Sequence, residues 1–232
     1  IDNYEYSRPI DNKSIDGIIV VSQSERDDDF IKTIIEKDIP MVVLNRAIEQ
    51  EGIVNILSND TKGSYDAVEY LIQNNHRKIA FIQGNSEFES NKYRKKGYMR
   101  ALEDYNIKID DDYILGGKYT LENGYDNMKK LIELEDRPTA VFCANDDIAV
   151  GAIKAVFESG LSVPDDISII GFDNSNFCDY VTPTLTSVKK DSLVMSEMGG
   201  TYLLDIINKK NVDKNKIFIE SYLVERDSVK RL

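Results

Sequence analysis

The polar side chains best suited to hold a ligand stand just after short apolar runs. Asp60 follows the run 54–57, Ser90 and Arg94 follow 78–83, and Tyr119 follows 113–116. Asn145 and Asp146 follow 140–143, and Asp173 and Asn174 follow 167–171. Two carboxylates, an amide, a guanidinium fork and an aromatic face are what a neutral, hydroxyl-rich ligand needs. The carboxylates accept from paired hydroxyls, the guanidinium donates to ring and hydroxyl oxygens, and the aromatic covers the C–H face. Taken singly, each residue has a plainer reading. Asn59 or Asp60, Ser90 and Asn145 are good helix N-caps, Arg94 suits the solvent face of a basic helix, and Tyr119 suits a core position.

The same inventory points away from catalysis. His76 is the one histidine, beside Arg77 at a helix–strand junction, and reads as a loop residue rather than a base. No HExxH, GxSxG or GxxxxGK[ST] pattern occurs, and Gly116-Gly117 does not complete GxGxxG. The acidic run 110–112 lacks the alternating ligands and the glycine of a calcium loop and reads as a solvated turn. Two cysteines, Cys143 and Cys178, are too few for a disulfide framework or a Cys-rich zinc site, and both read as buried thiols. The expectation is binding without turnover, with no catalytic residue, metal or cofactor.

The elements that must position these groups alternate. Strands are predicted at 17–21, 41–44, 54–57, 78–83, 113–116, 140–143 and 167–171. Between them, helical spacing covers 30–37, 61–73, 91–105, 121–134 and 146–159. The tail adds a strand at 186–189, a helix at 192–208 and a strand at 217–225. Such alternation means βαβ units, with parallel sheets covered by helices on both faces. The strand runs are continuous rather than alternating, as strands buried on both faces require. There are too many strands for one small sheet, so two doubly wound lobes are expected.

At 232 residues, 29 basic against 41 acidic give a net charge of −12, which argues against this chain alone gripping a phosphate backbone. The densest basic stretch is Lys92, Arg94, Lys95, Lys96 and Arg100, inside a predicted helix. No apolar run approaches the ~20 residues that span a bilayer, and no secretory leader opens the chain, so a cytoplasmic location and no membrane partner are expected. The chain begins at Ile1, in a polar stretch with no clear period, which reads as a cut start with a natural N-terminal part missing.

The chain resembles the effector-binding part of the lactose-repressor (LacI/GalR) family of bacterial transcription regulators. The matching segments are IDGIIVVSQ (15–23), DIPMVVLNR (38–46), NDTKGSYDAVEYLIQNNHRKIAFIQG (59–84) and SNKYRKKGYMRAL (90–102). PTAVFCANDDIAVGAIKAVFESGLSVPDDISIIGFDN (138–174), TPTLTSVKKD (182–191) and LVERDS (223–228) complete the series. The resemblance implies a type I periplasmic-binding-protein-like fold of two α/β lobes joined by three crossovers, near Asn75, Lys189 and Asn211. One lobe would hold 1–75 with 191–211, the other 76–190 with 212–232. It implies ligand contacts from Asp60, Arg94, Asn145 and Asp173, a stacking aromatic at Tyr119, and a further contact from Lys190 beside the interlobe cleft. The ligand would be a sugar or nucleoside-like effector, the assembly a homodimer, and operator DNA a partner only through a helix-turn-helix that this chain lacks. A sugar-binding protein serving a membrane transporter is the alternative, and a hydrolase working through Asp60 and Asp173 a third reading.

Overall fold

The run MVVL is buried at all four positions of its strand, and AVFC likewise, so neither strand presents an edge or a face to water. That pattern belongs to parallel sheets sandwiched between helices. The computed structural model describes residues 14–232. In chain order its first elements are β1 (Ile18–Val21), α1 (Asp28–Glu36), β2 (Met41–Leu44), β3 (Val54–Ser58), α2 (Asp60–Gln73), β4 (Ile79–Gln83), α3 (Glu89–Asp104) and β5 (Ile114–Gly116). There follow α4 (Leu121–Glu133), β6 (Ala140–Cys143), α5 (Asp146–Glu158), β7 (Ser168–Asp173), β8 (Ser187–Lys190), α6 (Ser192–Ile207), β9 (Lys216–Ile219) and β10 (Ser221–Val224). The chain is an α/β protein, as its alternating pattern predicts.

It divides into two compact units, one running to Ser58 and including Asp191–Ile219, the other Asn59–Lys190 with Glu220–Leu232. In the first unit β1-β2-β3-β9 form a parallel sheet. Successive side chains of a strand point to opposite faces. Met41 and Val43 therefore pack with Ile31 and Ile34 of α1, whereas Val42 and Leu44 pack with Met195 of α6.

In the second unit the order is β10-β8-β7-β6-β4-β5. The strands from β4 to β8 are parallel, and β10 runs antiparallel to β8. An aromatic row crosses its core. Phe81 stacks on Tyr98 at 5.3 Å between ring centres and on Phe142 at 5.2 Å, and Phe142 meets Phe172 at 6.5 Å. The Tyr98 hydroxyl donates to the Ile79 carbonyl at 2.8 Å, so burying this ring strands no polar atom.

The units divide the chain differently from the expected lobes. The first crossover falls between Ser58 and Asn59, not near Asn75, because α2 packs on α3, β8 and β10 of the second unit. The last falls between Ile219 and Glu220, not near Asn211, because β9 pairs with β3. The predicted strand 217–225 is thus two strands: β9 joins the first sheet, and β10, one residue later, joins the second. No helix among the described residues is long and apolar enough to cross a membrane.

Candidate functional site

Leaving β4 the chain moves out to β5, then returns to β6 on the other side of β4. Ligands of open α/β sheets bind outside the carboxyl ends of the strands at such a switch of direction. Arg94 stands there, in the second turn of α3, the helix that follows β4.

Arg94 is 3% exposed, which corrects its reading as a solvent-facing residue of a basic helix. The buried residues of α3 include Asn91, Arg94, Tyr98 and Ala101, so the arginine occupies the inward stripe of its helix. That spacing of three and four was the signal available in the sequence. Once inward, the guanidinium is surrounded. Its Nε donates to Asp60 Oδ2 at 2.9 Å and its Nη2 to Asp173 Oδ1 at 3.1 Å, and its Nη1 donates to the Ala144 carbonyl. Its carbon centre lies 3.7 Å from the centre of the Phe172 ring and 6.0 Å from that of Tyr119. Burial disfavours the charge, but Asp60 and Asp173 outweigh it and hold the guanidinium above its ordinary pKa.

The partners come from separate strand ends. Asn59 caps α2 by accepting from the Lys62 N–H at 3.3 Å, and this puts Asp60 in the first turn of the helix, 3% exposed. Only Oδ2 of Asp60 meets Arg94; Oδ1 is buried with no hydrogen-bond partner, as is Oδ1 of Asn174. Asp173 closes β7 with φ of 102°, and Asn174 follows at 53°. Two consecutive residues in left-handed backbone cost about 1–3 kcal/mol each, and such strain persists where surrounding contacts dictate it. Although 39% of the Asp173 side chain is exposed, its carboxyl group lies deep enough for desolvation to raise its pKa against the pull of Arg94 and Lys190.

Tyr119 lies against Gly84, where a Cβ would come within 2.4–2.6 Å of the ring. Its ring stacks on Phe88 at 5.8 Å, and its hydroxyl is 3.2 Å from Ser90 Oγ. Burial raises its pKa, so the phenol stays neutral. Lys190, at the end of β8, is lowered by desolvation while the charges of Asp60 and Asp173 raise it. Asn145 follows Ala144, whose carbonyl Arg94 holds, but its own Oδ1 caps α5 by accepting from the Ile148 N–H at 3.0 Å. Thus Asp60, Arg94, Tyr119 and Asp173 form one constellation, Lys190 shares its field, and Asn145 serves as the N-cap that its residue type suggested.

Sequence reasoning missed Phe172 and the Ala144 carbonyl. Phe172 follows the predicted strand 167–171 without break, and a backbone carbonyl has no residue signature. Ser90 is not an N-cap; Phe88 holds that position. His76 lies in the loop between α2 and β4, as its position suggested, and is fully buried there. Its Nε2 donates to the Lys230 carbonyl at 3.0 Å, which leaves Nδ1 to accept from the Thr139 hydroxyl at 2.9 Å, and burial lowers its pKa. Cys143 and Cys178 are buried, and desolvation pushes Cys178 up to about 12. Among the described residues, no group of three or more His, Cys, Asp or Glu is placed to hold a metal ion.

Residues 68–229 match the family described as periplasmic binding protein-like domain. The chain is 47% identical over 230 residues to the probable HTH-type transcriptional repressor ExuR of Bacillus subtilis, covering 99% of this chain and 68% of that protein. It is 37% identical over 226 residues to the HTH-type transcriptional repressor PurR of Serratia proteamaculans, covering 97% and 66%. The chain therefore spans about two thirds of the length of these relatives. Among solved structures, a LacI-family regulatory protein from Chloroflexus aggregans superposes with a TM-score of 0.90 at 28% identity, covering 100% of this chain and 83% of that one. A LacI-family regulator from Enterococcus faecium with bound ribose gives 0.88 at 26% identity, covering 98% and 85%.

Proposed function

Because the chain belongs to the lactose-repressor (LacI/GalR) family of transcriptional regulators, we propose that it is the effector-sensing part of such a regulator. It binds a small sugar or nucleoside-like ligand through Asp60, Arg94, Tyr119, Asp173 and Lys190, with Asn145 alongside. The observation that carries this reading is the buried Asp60, whose second oxygen has no partner while the first is tied to Arg94. A buried unsatisfied acceptor costs about 1–3 kcal/mol, and a ligand hydroxyl donating to it recovers that loss. The unpartnered Oδ1 of Asn174 offers a second acceptor, and the Phe88–Tyr119 pair an apolar wall.

The full-length protein acts as a homodimer in the cytoplasm. It reaches operator DNA through a segment outside this chain, in keeping with relatives half as long again as the matched part. Effector binding changes operator affinity by a coupling energy of about 1–3 kcal/mol and involves no turnover. That the relatives are repressors supports a regulator over a transporter's binding protein.

The test is a thermal-shift screen against pentoses, hexoses, disaccharides, their phosphates, nucleosides and purines. A ligand at 100 times its Kd adds about 2.7 kcal/mol, a readily seen rise in Tm. A hit whose effect disappears in Asp173→Ala supports the reading. A hit unaffected by that change, or a screen with no hit, counts against a small-molecule effector at these residues.

A further inference from the structure

Asp146, the first residue of α5, directs both carboxylate oxygens to the strained turn that follows Asp173. It is 1% exposed. Its Oδ2 accepts the Ser175 N–H at 2.6 Å, and its Oδ1 accepts the Ser187 hydroxyl at 2.6 Å. Ser187 Oγ in turn accepts the Asn174 N–H at 3.1 Å. One carboxylate thus fixes two successive backbone amides, one directly and one through a hydroxyl relay. These are the amides that follow Asp173, whose φ of 102° carries its carboxylate to Arg94 at 3.1 Å. Space for this arrangement is made at Gly171 of β7, where a Cβ would stand 2.3 Å from Asp146 Oδ1.

We propose that Asp146 is a positioning residue of the effector site: it sets the Asp173–Ser175 turn and, through it, the direction of the Asp173 carboxylate. The proposal rests on the effector reading for its purpose, but its geometry can be tested with no ligand present. Without Asp146 the Ser175 N–H loses its acceptor and Ser187 loses the oxygen to which it donates. The Ser187–Asn174 bond, the Arg94–Asp173 pair and the β7–β8 pairing remain, and without the carboxylate anchor they are too few to hold two successive residues in left-handed backbone. Asp173 relaxes and leaves Arg94, while the Arg94–Asp60 pair, held by α2 and α3, remains.

The experiment uses the ligand-free protein. Amide hydrogen exchange is measured by NMR, and crystal structures are solved, for wild type, Asp146→Ala, Asp146→Asn and Ser187→Ala. In Asp146→Ala, exchange at Asn174 and Ser175 should rise at least a hundredfold while the β4 and β6 amides keep their protection. The Asp173–Arg94 contact should be lost and the Asp60–Arg94 contact kept. Asp146→Asn, which retains one acceptor oxygen for Ser175, should restore most of the protection. Ser187→Ala, which leaves the Asp146–Ser175 bond in place, should raise exchange at Asn174 alone and serves if Asp146→Ala does not fold. An unchanged Asp173 backbone in Asp146→Ala overturns the proposal. So does an equal loss of protection throughout the sheet, or Ser187→Ala protection at Asn174 equal to wild type.

Discussion

Arg94 and Asp60 form an ion pair of 2.9 Å, with side chains 3% and 4% exposed. It joins the first turn of α2 to the second turn of α3. A buried pair of this kind adds little net stability when whole, because desolving both ions costs about what their attraction returns, but removing one partner strands the other.

Arg94→Ala should therefore destabilise the chain by about 3–5 kcal/mol, contrary to the tolerance that a solvent-facing helix position would show. Denaturant unfolding reads this directly. Asp60→Ala in the same protein should cost much less in the Arg94→Ala background than alone, since the acid is then already unpaired. Additive costs would argue against coupling between the two residues.

Asp173→Asn keeps the shape of the side chain, and asparagine tolerates the positive φ of this position. Fold stability should change little, while affinity for a hydroxyl-bearing effector should fall by about 1–3 kcal/mol as charge-assisted bonds become neutral ones. Calorimetric titration with the ligand found by screening gives both numbers. Equal affinity would return Asp173 to a purely structural part.

Gly84→Ala forces a methyl group to within 2.4 Å of the Tyr119 ring. The ring must move, at a cost of about 1–3 kcal/mol, and with it one wall of the site. Effector affinity should drop alongside stability. Combining the change with Tyr119→Ala should recover most of the stability cost, because the obstructing ring is gone. Failure to recover would mean the methyl clashes elsewhere.

His76 supplies a pH dependence whose sign follows from its burial. Its pKa is lowered in the folded chain, so the unfolded chain binds the proton more readily. Its contribution is full above the unfolded value of about 6.5 and is lost as pH falls below it, at up to about 1.4 kcal/mol per pH unit. Urea unfolding of wild type and His76→Gln between pH 5 and 7.5 isolates this from the carboxylates. The two stability curves should converge as the pH is lowered; parallel curves would show that His76 takes up its proton equally in the folded and unfolded chain, with no lowered pKa.

The sequence made some of this legible for definite reasons. Asp60, Arg94, Tyr119 and Asp173 each follow an apolar run, and a parallel sheet delivers its strand ends to one edge, so position along the chain sufficed to bring them together. Burial was less legible. Arg94 shares its helix with Lys92, Lys95 and Lys96, and that company masked the Asn91–Arg94–Tyr98 spacing that turns it inward. The boundary at Ser58 was hidden because α2 leaves β3 after a single capping residue, with no Gly, Pro or Ser-rich linker. Glu220 looked like mid-strand because strand-forming apolar residues stand on both sides of the Glu220–Ser221 pair with no Gly, Pro or Asn between them, and only the pairing of β9 and β10 to different sheets separates them. The left-handed turn at Asp173 depends on an acid at Asp146, 27 residues earlier, a dependence no local pattern carries.

Asp60, Asp173, Arg94 and Lys190 bring two negative and two positive charges to one place, so the constellation is formally neutral inside a chain of net charge −12. An uncharged guest meets strong local dipoles but no net field, and added electrolyte has little to screen. A neutral sugar should bind about equally well in dilute buffer and in 0.5 M salt. An anionic guest would instead be repelled at long range by the acidic surface, and its association would quicken as salt is added. Ionic strength alone thus sorts the candidate effectors by charge.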